Sequence, residues 1–235
     1  MNQSKVWLRV NRVEAKVCAD AALTSVADLH EAMGVVAGRL GLMTPRMRPL
    51  VRGIRIAGPA VTAYVAPGDN LMMHRALSLA RPGDVLVVVS PFENSGAQWG
   101  DVASRYAAAK GLAGVVVQGC IRDTDVLESM RFPVWSTLIS PIHPEKSGNG
   151  QVNAPVCCDG VQVNPGDLVV ADGDGVVVVP RRDAAAAVQR ALARTKKEDE
   201  AALKIAAGAT PWELSGAAAS YAAMQISEVD AAFDD

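Results

Sequence analysis

The chain predicts an α/β domain with a helical extension. Three features predict it: a helix-then-strand unit repeated through the first half, short strands punctuated by Gly, Pro and Asn in the second, and an Ala-rich, charged tail. Strands separated by single short helices imply right-handed parallel crossovers, whereas strands separated by tight turns pair as hairpins. A mixed sheet is therefore expected. Residues 1–180 are expected to form the domain and residues 181–235 the extension.

The elements follow in order. Residues 11–34 carry helical patterning, and Ser25-Val26-Ala27-Asp28 has the S-x-x-D form of a capping box, so two short helices are expected, the second ending at Gly34. Prolines interrupt residues 43–49. The apolar residues 54–65 contain Gly58-Pro59, and because proline offers no N–H to a ladder the segment reads as strand, kink, strand. Residues 70–80 read as a helix, Arg81-Pro82-Gly83-Asp84 as a turn, and Val85-Leu86-Val87-Val88-Val89 as a strand buried on both faces. A second round follows, with a loop at 90–99, a helix at 100–110 and a strand at 114–118. The third has a helix at 124–130 and a strand at 133–136.

Beyond residue 139 the strand-like pieces shorten to 154–157, 160–163, 168–170 and 176–179. Asn164-Pro165-Gly166-Asp167 and Asp172-Gly173-Asp174-Gly175 are turn sequences between them. The first echoes Arg81-Pro82-Gly83-Asp84, a likeness of turn chemistry and not a repeat architecture. Residues 181–207 are Ala-rich and helical, Gly208 and Pro211 break the pattern, and a last helical stretch is expected over 212–233. The tail is amphipathic and suited to packing on a neighbouring subunit.

Composition narrows the function. At 235 residues, half of them apolar, the chain can bury a core without disulfides or structural metals. Lys plus Arg total 23 against 25 for Asp plus Glu, so the net charge of −2 offers no field for nucleic acid or an acidic membrane. The four cysteines have no C-x-x-C spacing, and adjacent Cys157 and Cys158 face opposite ways if they lie on a strand. The first residues are charged throughout, and no segment reaches about 18 apolar residues. A soluble cytoplasmic protein is the expectation.

Chemistry concentrates in two pairs, Gly100-Asp101 and Arg122-Asp123, separated by the twenty residues 102 to 121. A helix starting at Gly100 exposes its first N–H groups and positive dipole end to an anion; in the plainer alternative Asp101 serves only the helix's first turn. Arg122 and Asp123 follow a buried strand and so fall at its carboxyl end, where open α/β sheets place ligands. A guanidinium there can grip a carboxylate, and an aspartate offers a hard oxygen to magnesium or manganese. The plainer reading makes Asp123 a helix cap and Arg122 a surface charge. Lys146, in a polar stretch, is a candidate for a distal substrate carboxylate or a solvated lysine. His30, His74 and His143 are dispersed and read as structural or surface residues. No strand leads into a G-x-G-x-x-G turn, which argues against a methyltransferase that uses S-adenosylmethionine.

Gly100-Asp101-Val102-Ala103, residues 109–117 and Gly119-Cys120-Ile121-Arg122-Asp123 together resemble the RraA-like family, in particular its 4-hydroxy-4-methyl-2-oxoglutarate/4-carboxy-4-hydroxy-2-oxoadipate aldolases. Residues 132–136, 163–167 and 171–177 are similar to the same branch, and the resemblance spans roughly residues 20–205. It implies a three-layer β/β/α swivelling-domain fold, assembled as a homotrimer or homohexamer with sites between subunits. It also implies that backbone amides of Gly100, Asp101, Val102 and Ala103 hold the pyruvyl carboxylate of a small oxo acid. Arg122 would contact substrate, Asp123 would ligate Mg2+ or Mn2+, and Asp101 would lie near a water at that metal. Longer members carry a C-terminal extension delivering a glutamate to the neighbouring site, for which Glu198 or Glu200 stands here. The family acid three positions after the metal aspartate is replaced by Val126, flanked by Asp125.

The implied activity is metal-dependent cleavage of a 4-hydroxy-2-oxo acid to pyruvate and a second oxo acid, with oxaloacetate decarboxylation as a side reaction. The alternative that the family also offers is a non-catalytic regulator that binds a ribonuclease.

Overall fold

Five consecutive aliphatic residues, Val85 to Val89, are buried on both faces of a central strand, and the sheet is built around them. The computed structural model describes residues 4–233, in two compact units, Met1–Leu192 and Ala193–Asp235. The first unit runs through β1 (Lys5–Val6), α1 (Ala15–Ala21), α2 (Val26–Ala32), α3 (Val35–Gly41), β2 (Arg48–Pro49), β3 (Ile56–Val65), α4 (Leu71–Leu79), β4 (Val85–Val89), β5 (Ala97–Trp99), α5 (Asp101–Lys110), β6 (Gly114–Ile121), α6 (Thr124–Met130) and β7 (Val134–Ile139). The hairpin half follows as β8 (Gly150–Val152), β9 (Val156–Cys158), β10 (Val161–Val163), β11 (Leu168–Ala171) and β12 (Val176–Val179), before α7 (Ala184–Ala206) begins.

Strands β3, β4, β6 and β7 are successive parallel neighbours connected through α4, α5 and α6, as the repeated helix–strand unit predicts. The β11–β12 and β9–β10 pairs are antiparallel, so the sheet architecture is mixed. Alternation along β4 sorts the layers. Leu86 and Val88 pack with Met73, Leu77, Ala107 and Leu127 on the helical side, while Val85, Val87 and Val89 pack with Cys158, Val163, Val169 and Val178 of the hairpin strands. The far side of β11–β12, with Leu168, Val170, Val177 and Val179, is covered by Leu29, Ala184 and Val188.

Several local expectations change. Residues 54–65 do not break into two strands: β3 is continuous, pairing with β11 over Ile56 to Pro59 and with β4 over Ala60 to Tyr64. Gly58-Pro59 marks the change of partner. A Cβ on Gly58 would collide with the Gly83 carbonyl, so glycine serves close approach there. The second helix ends before Gly34 as expected, but a third, α3, follows, and Gly34 at φ +86° connects the two. The expected loop at 90–99 contains a 3₁₀ turn at Glu93–Ser95 and the short strand β5, which joins the edge of β6.

The two echoed turns close in the same way. Asp84 accepts from the Arg81 N–H at 2.7 Å and Asp167 accepts from the Asn164 N–H at 2.9 Å, each turn carrying a positive-φ glycine. Buried Asp84 also accepts from two of the three Arg12 guanidinium nitrogens, Nε and Nη2, each at 2.8 Å, which raises the guanidinium pKa.

The second unit contains the remainder of α7, α8 (Pro211–Leu214) and α9 (Ala217–Ala223). The helical stretch expected over 212–233 is thus two short helices, with no helix from Met224 to Phe233. Thr210 and Glu213 form a reciprocal capping box, and Trp212 meets Tyr221 edge-on at 5.2 Å. Among the described residues no helix is long and apolar enough to cross a membrane.

Candidate active site

The two polar pairs meet because β5 lies beside β6. Arg122 N–H donates to the Trp99 carbonyl at 3.0 Å, and Gln98 Oε1 accepts from the Cys120 N–H at 3.0 Å. Trp99 is fully buried, stacks on Phe132 and donates its indole N–H to Ser104 Oγ at 2.7 Å, which anchors the first turn of α5 to the core.

Helix α5 starts from Gly100, whose φ of −166° is ordinary extended backbone; closeness is what demands glycine there. A Cβ at this position would stand 2.7 Å from Asp123 Oδ2 and 3.2 Å from Arg122 Cγ. The Asp101 N–H donates to Asp123 Oδ2 at 3.2 Å, and the N–H groups of Val102 and Ala103 have no acceptor among the described residues.

Asp123 occupies the N-cap position of α6 without capping it with its side chain. Its backbone is left-handed, φ 58° and ψ 36°, which turns the carboxylate away from the α6 amides and towards Gly100 and Asp101. Arg122 Nε lies 3.5 Å from the same Oδ2, and Asp101 pairs with Arg105 at 3.5 Å along α5. Gly100, Asp101, Val102, Ala103, Arg122, Asp123 and Lys146 line one cleft of about 190 Å³.

The rest of the lining was not legible as a site. Asn70, His74 and His143 line the same cleft beside Lys146. Asn70 is 7 % exposed, and its Oδ1 is buried without a partner among the described residues. Burial first, then the Lys146 ammonium, holds His74 below its ordinary value, with Asp69 opposing. A site rule applied to sequence spacing misses these residues, because α4 and the 143–148 loop are far apart in the chain.

Two other expected groups stand elsewhere. Asp125, flanking Val126, is exposed on α6 and is not among the residues that line the cleft. Glu198 belongs to the second unit, where it pairs with Arg194 at 3.2 Å; Glu200 lies exposed on the same helix. A larger groove of about 460 Å³, lined by Met33, Leu40, Val161 and Val178 among others, contains none of the Gly-Asp or Arg-Asp groups.

The donor chemistry suits a sparsely held hard cation. Asp101 and Asp123 offer carboxylate oxygens, and no cluster of three His, Cys, Asp or Glu forms a cage among the described residues. Magnesium or manganese, held by one or two carboxylates with the remaining positions left to water and substrate, fits this set.

Residues 26–178 match the RraA-like family described as Aldolase/RraA. The chain belongs to this family. An RraA-like relative from Halalkalibacterium halodurans, provisionally named as a 4-hydroxy-4-methyl-2-oxoglutarate aldolase, is 37% identical over 159 residues, covering 68% of this chain and 75% of the relative. The crystal structure of an uncharacterized protein from Pseudomonas syringae pv. tomato superposes with a TM-score of 0.77 at 27% identity, covering 87% of this chain and 98% of that one. Streptomyces coelicolor RraAS2, described as an unusual member of the RNase ES inhibitor RraA family, aligns with a TM-score of 0.72 at 30% identity over 82% of this chain and 98% of its own. The fold is thus the RraA-like α/β fold, carrying a C-terminal helical extension.

Proposed function

We propose that this RraA-like protein is a carbon–carbon lyase that cleaves a 4-hydroxy-2-oxo acid, such as 4-hydroxy-4-methyl-2-oxoglutarate or 4-carboxy-4-hydroxy-2-oxoadipate, to pyruvate and a second oxo acid. One observation carries the reading: free helix N–H groups, a guanidinium and two carboxylates share a single small cleft. The similarity to relatives provisionally named as aldolases supports it.

Asp123, with Asp101 beside it, is the site for a divalent cation, Mg2+ or Mn2+. Such an ion, when bound, supplies Lewis-acid charge to the substrate's keto oxygen. The N–H groups of Val102 and Ala103 take the pyruvyl carboxylate. Arg122 faces the oxygen that gains charge as the C3–C4 bond breaks, which stabilises the pyruvate enolate. Asp101 orients the water that accepts the C4 hydroxyl proton and returns a proton to C3 of the enolate, which gives pyruvate. Lys146 binds a distal carboxylate. Oxaloacetate decarboxylation leaves the same enolate and belongs to the same site.

The working assembly we propose is a trimer or hexamer in which Glu198 of the extension serves a neighbouring subunit's cleft. Exposed Leu203, Trp212 and Val229 on the second unit support an apolar contact with another copy. Light scattering is expected to give three or six chains, and Glu198→Gln to lower turnover without changing that number.

Pyruvate release from these hydroxy-oxo acids and from oxaloacetate tests the reaction. Turnover is expected with magnesium or manganese, to vanish with chelator and to return on adding metal. A second reading, a regulator that binds a ribonuclease, draws on the 30% identity to a member of an RNase inhibitor family. Metal-independent inhibition of a ribonuclease, with no pyruvate released from any substrate, would favour it.

A further inference from the structure

We infer that Asp69 is a positioning residue. It fixes the 143–148 loop against the start of α4 and so decides where Lys146 and His143 stand in the cleft they share with Arg122. The inference rests on the oxo-acid reading and extends it to recognition of the substrate's second carboxylate.

Asp69 is 2 % exposed, and its carboxylate is met by backbone N–H groups. Oδ1 accepts from Leu71 at 2.7 Å, in the first turn of α4, and Oδ2 accepts from Ser147 at 2.6 Å and Gly148 at 2.7 Å. One carboxylate therefore ties two segments that are 78 residues apart. Around it, the Asn70 N–H donates to the Glu145 carbonyl at 3.0 Å and the Glu145 N–H to the Gly68 carbonyl at 2.7 Å.

The fit at Gly148 is close. A Cβ there would stand 2.5 Å from Ala66 Cβ and 2.8 Å from Asp69 Cγ, so only glycine lets the loop reach the carboxylate. Residues 143–148 contain no helix or strand, only an isolated parallel bridge between Glu145 and Asp69 made by the two backbone bonds, so the Asp69 carboxylate and this bridge hold the loop. Lys146 and His143 are exposed side chains on it, and both line the cleft with Asn70 and His74 of the α4 end. Asn70 follows Asp69 directly and keeps an unpartnered, buried amide oxygen on that wall. The first wall grips the pyruvyl end of an oxo acid. Loosening the second should cost only ligands that reach it.

The test compares pyruvate, which lacks a distal carboxylate, with 2-oxoglutarate, which has one, as calorimetric ligands of the full chain with magnesium present. Asp69→Asn keeps size but cannot accept with both atoms. It is expected to weaken 2-oxoglutarate by about tenfold while leaving pyruvate within about twofold. Gly148→Ala should do the same, and it serves as the second variant if Asp69→Asn does not fold. In a Lys146→Ala background the Asp69→Asn effect should shrink to less than about twofold, because both act through one contact. Amide hydrogen exchange at Ser147 and Gly148 should quicken in Asp69→Asn.

Equal weakening of both ligands, no weakening of either, an undiminished effect without Lys146, or unchanged exchange would overturn the inference. Wild-type protein that binds neither oxo acid sinks the oxo-acid reading and this one with it. Wild-type binding with an indifferent Asp69→Asn sinks this one alone.

Discussion

The two walls of the cleft are built differently. The Gly100/Arg122 wall stands on the ends of β5 and β6 and the first turn of α5, with Trp99 buried beneath it. The His143/Lys146 wall is a loop tethered to the start of α4 by the Asp69 carboxylate and by two backbone bonds through Glu145. Regular elements packed on a core fix atoms closely, whereas a tethered loop can shift for modest cost. The difference teaches that the first wall suits the bond-breaking chemistry and the second suits recognition. First-wall changes should therefore strike kcat, and second-wall changes should strike KM.

Asp123→Asn should show the largest effect. Asn tolerates the left-handed backbone at position 123 and can still accept from the Asp101 N–H, so the fold should persist while the charge is lost. Metal-dependent pyruvate release should fall on the order of 10³-fold with an unchanged melting temperature. Near-normal rates would remove Asp123 from the metal.

Arg122→Ala should lower kcat/KM by about 10²-fold, mostly in kcat, because the guanidinium acts where charge develops. A loss confined to KM would erase the distinction between the walls. Gly100→Ala should follow, with roughly a tenfold fall in kcat, since the new methyl carbon must displace Asp123 Oδ2 or Arg122 Cγ without straining φ. Steady-state kinetics beside thermal unfolding would separate that displacement from a general loss of fold.

The smallest expected effect concerns His74 and stability. Its folded pKa is lowered from 6.5 by burial and by Lys146, with Asp69 opposing, so the unfolded chain protonates first as pH falls. Stability is then full above pH 6.5 and declines as pH drops through that value towards the lower folded one. His74→Gln should flatten this part of the profile, measured as urea midpoints between about pH 7 and pH 5. A profile with the same slope in both proteins would show that another group titrates there.

Much of the fold was legible because its signals are local. Ser25 caps α2 as its S-x-x-D spacing predicts, and α6 begins and ends where the pattern places it. Cys157 is exposed and Cys158 buried, as neighbours on a strand must be. Where legibility failed, partners were distant. Gly58-Pro59 looked like a break, yet β3 passes straight through it by exchanging β11 for β4. The 212–233 stretch has the composition of a helix but lacks a continuous one, since helix-forming residues alone hold a helix only weakly without packing.

The sequence alone determined the alternation of helix and strand from α4 to β7, the two echoed Pro-Gly-Asp turns and the two polar pairs, because each depends on residues a few positions apart. Only the tertiary structure decided that these pairs share a cleft, that Asp123 turns its carboxylate from α6 towards Gly100, and that Asn70, His74 and His143 line the same cleft. Those outcomes depend on contacts such as Asp69 to Gly148, spanning 79 residues, and no local preference encodes a contact of that length.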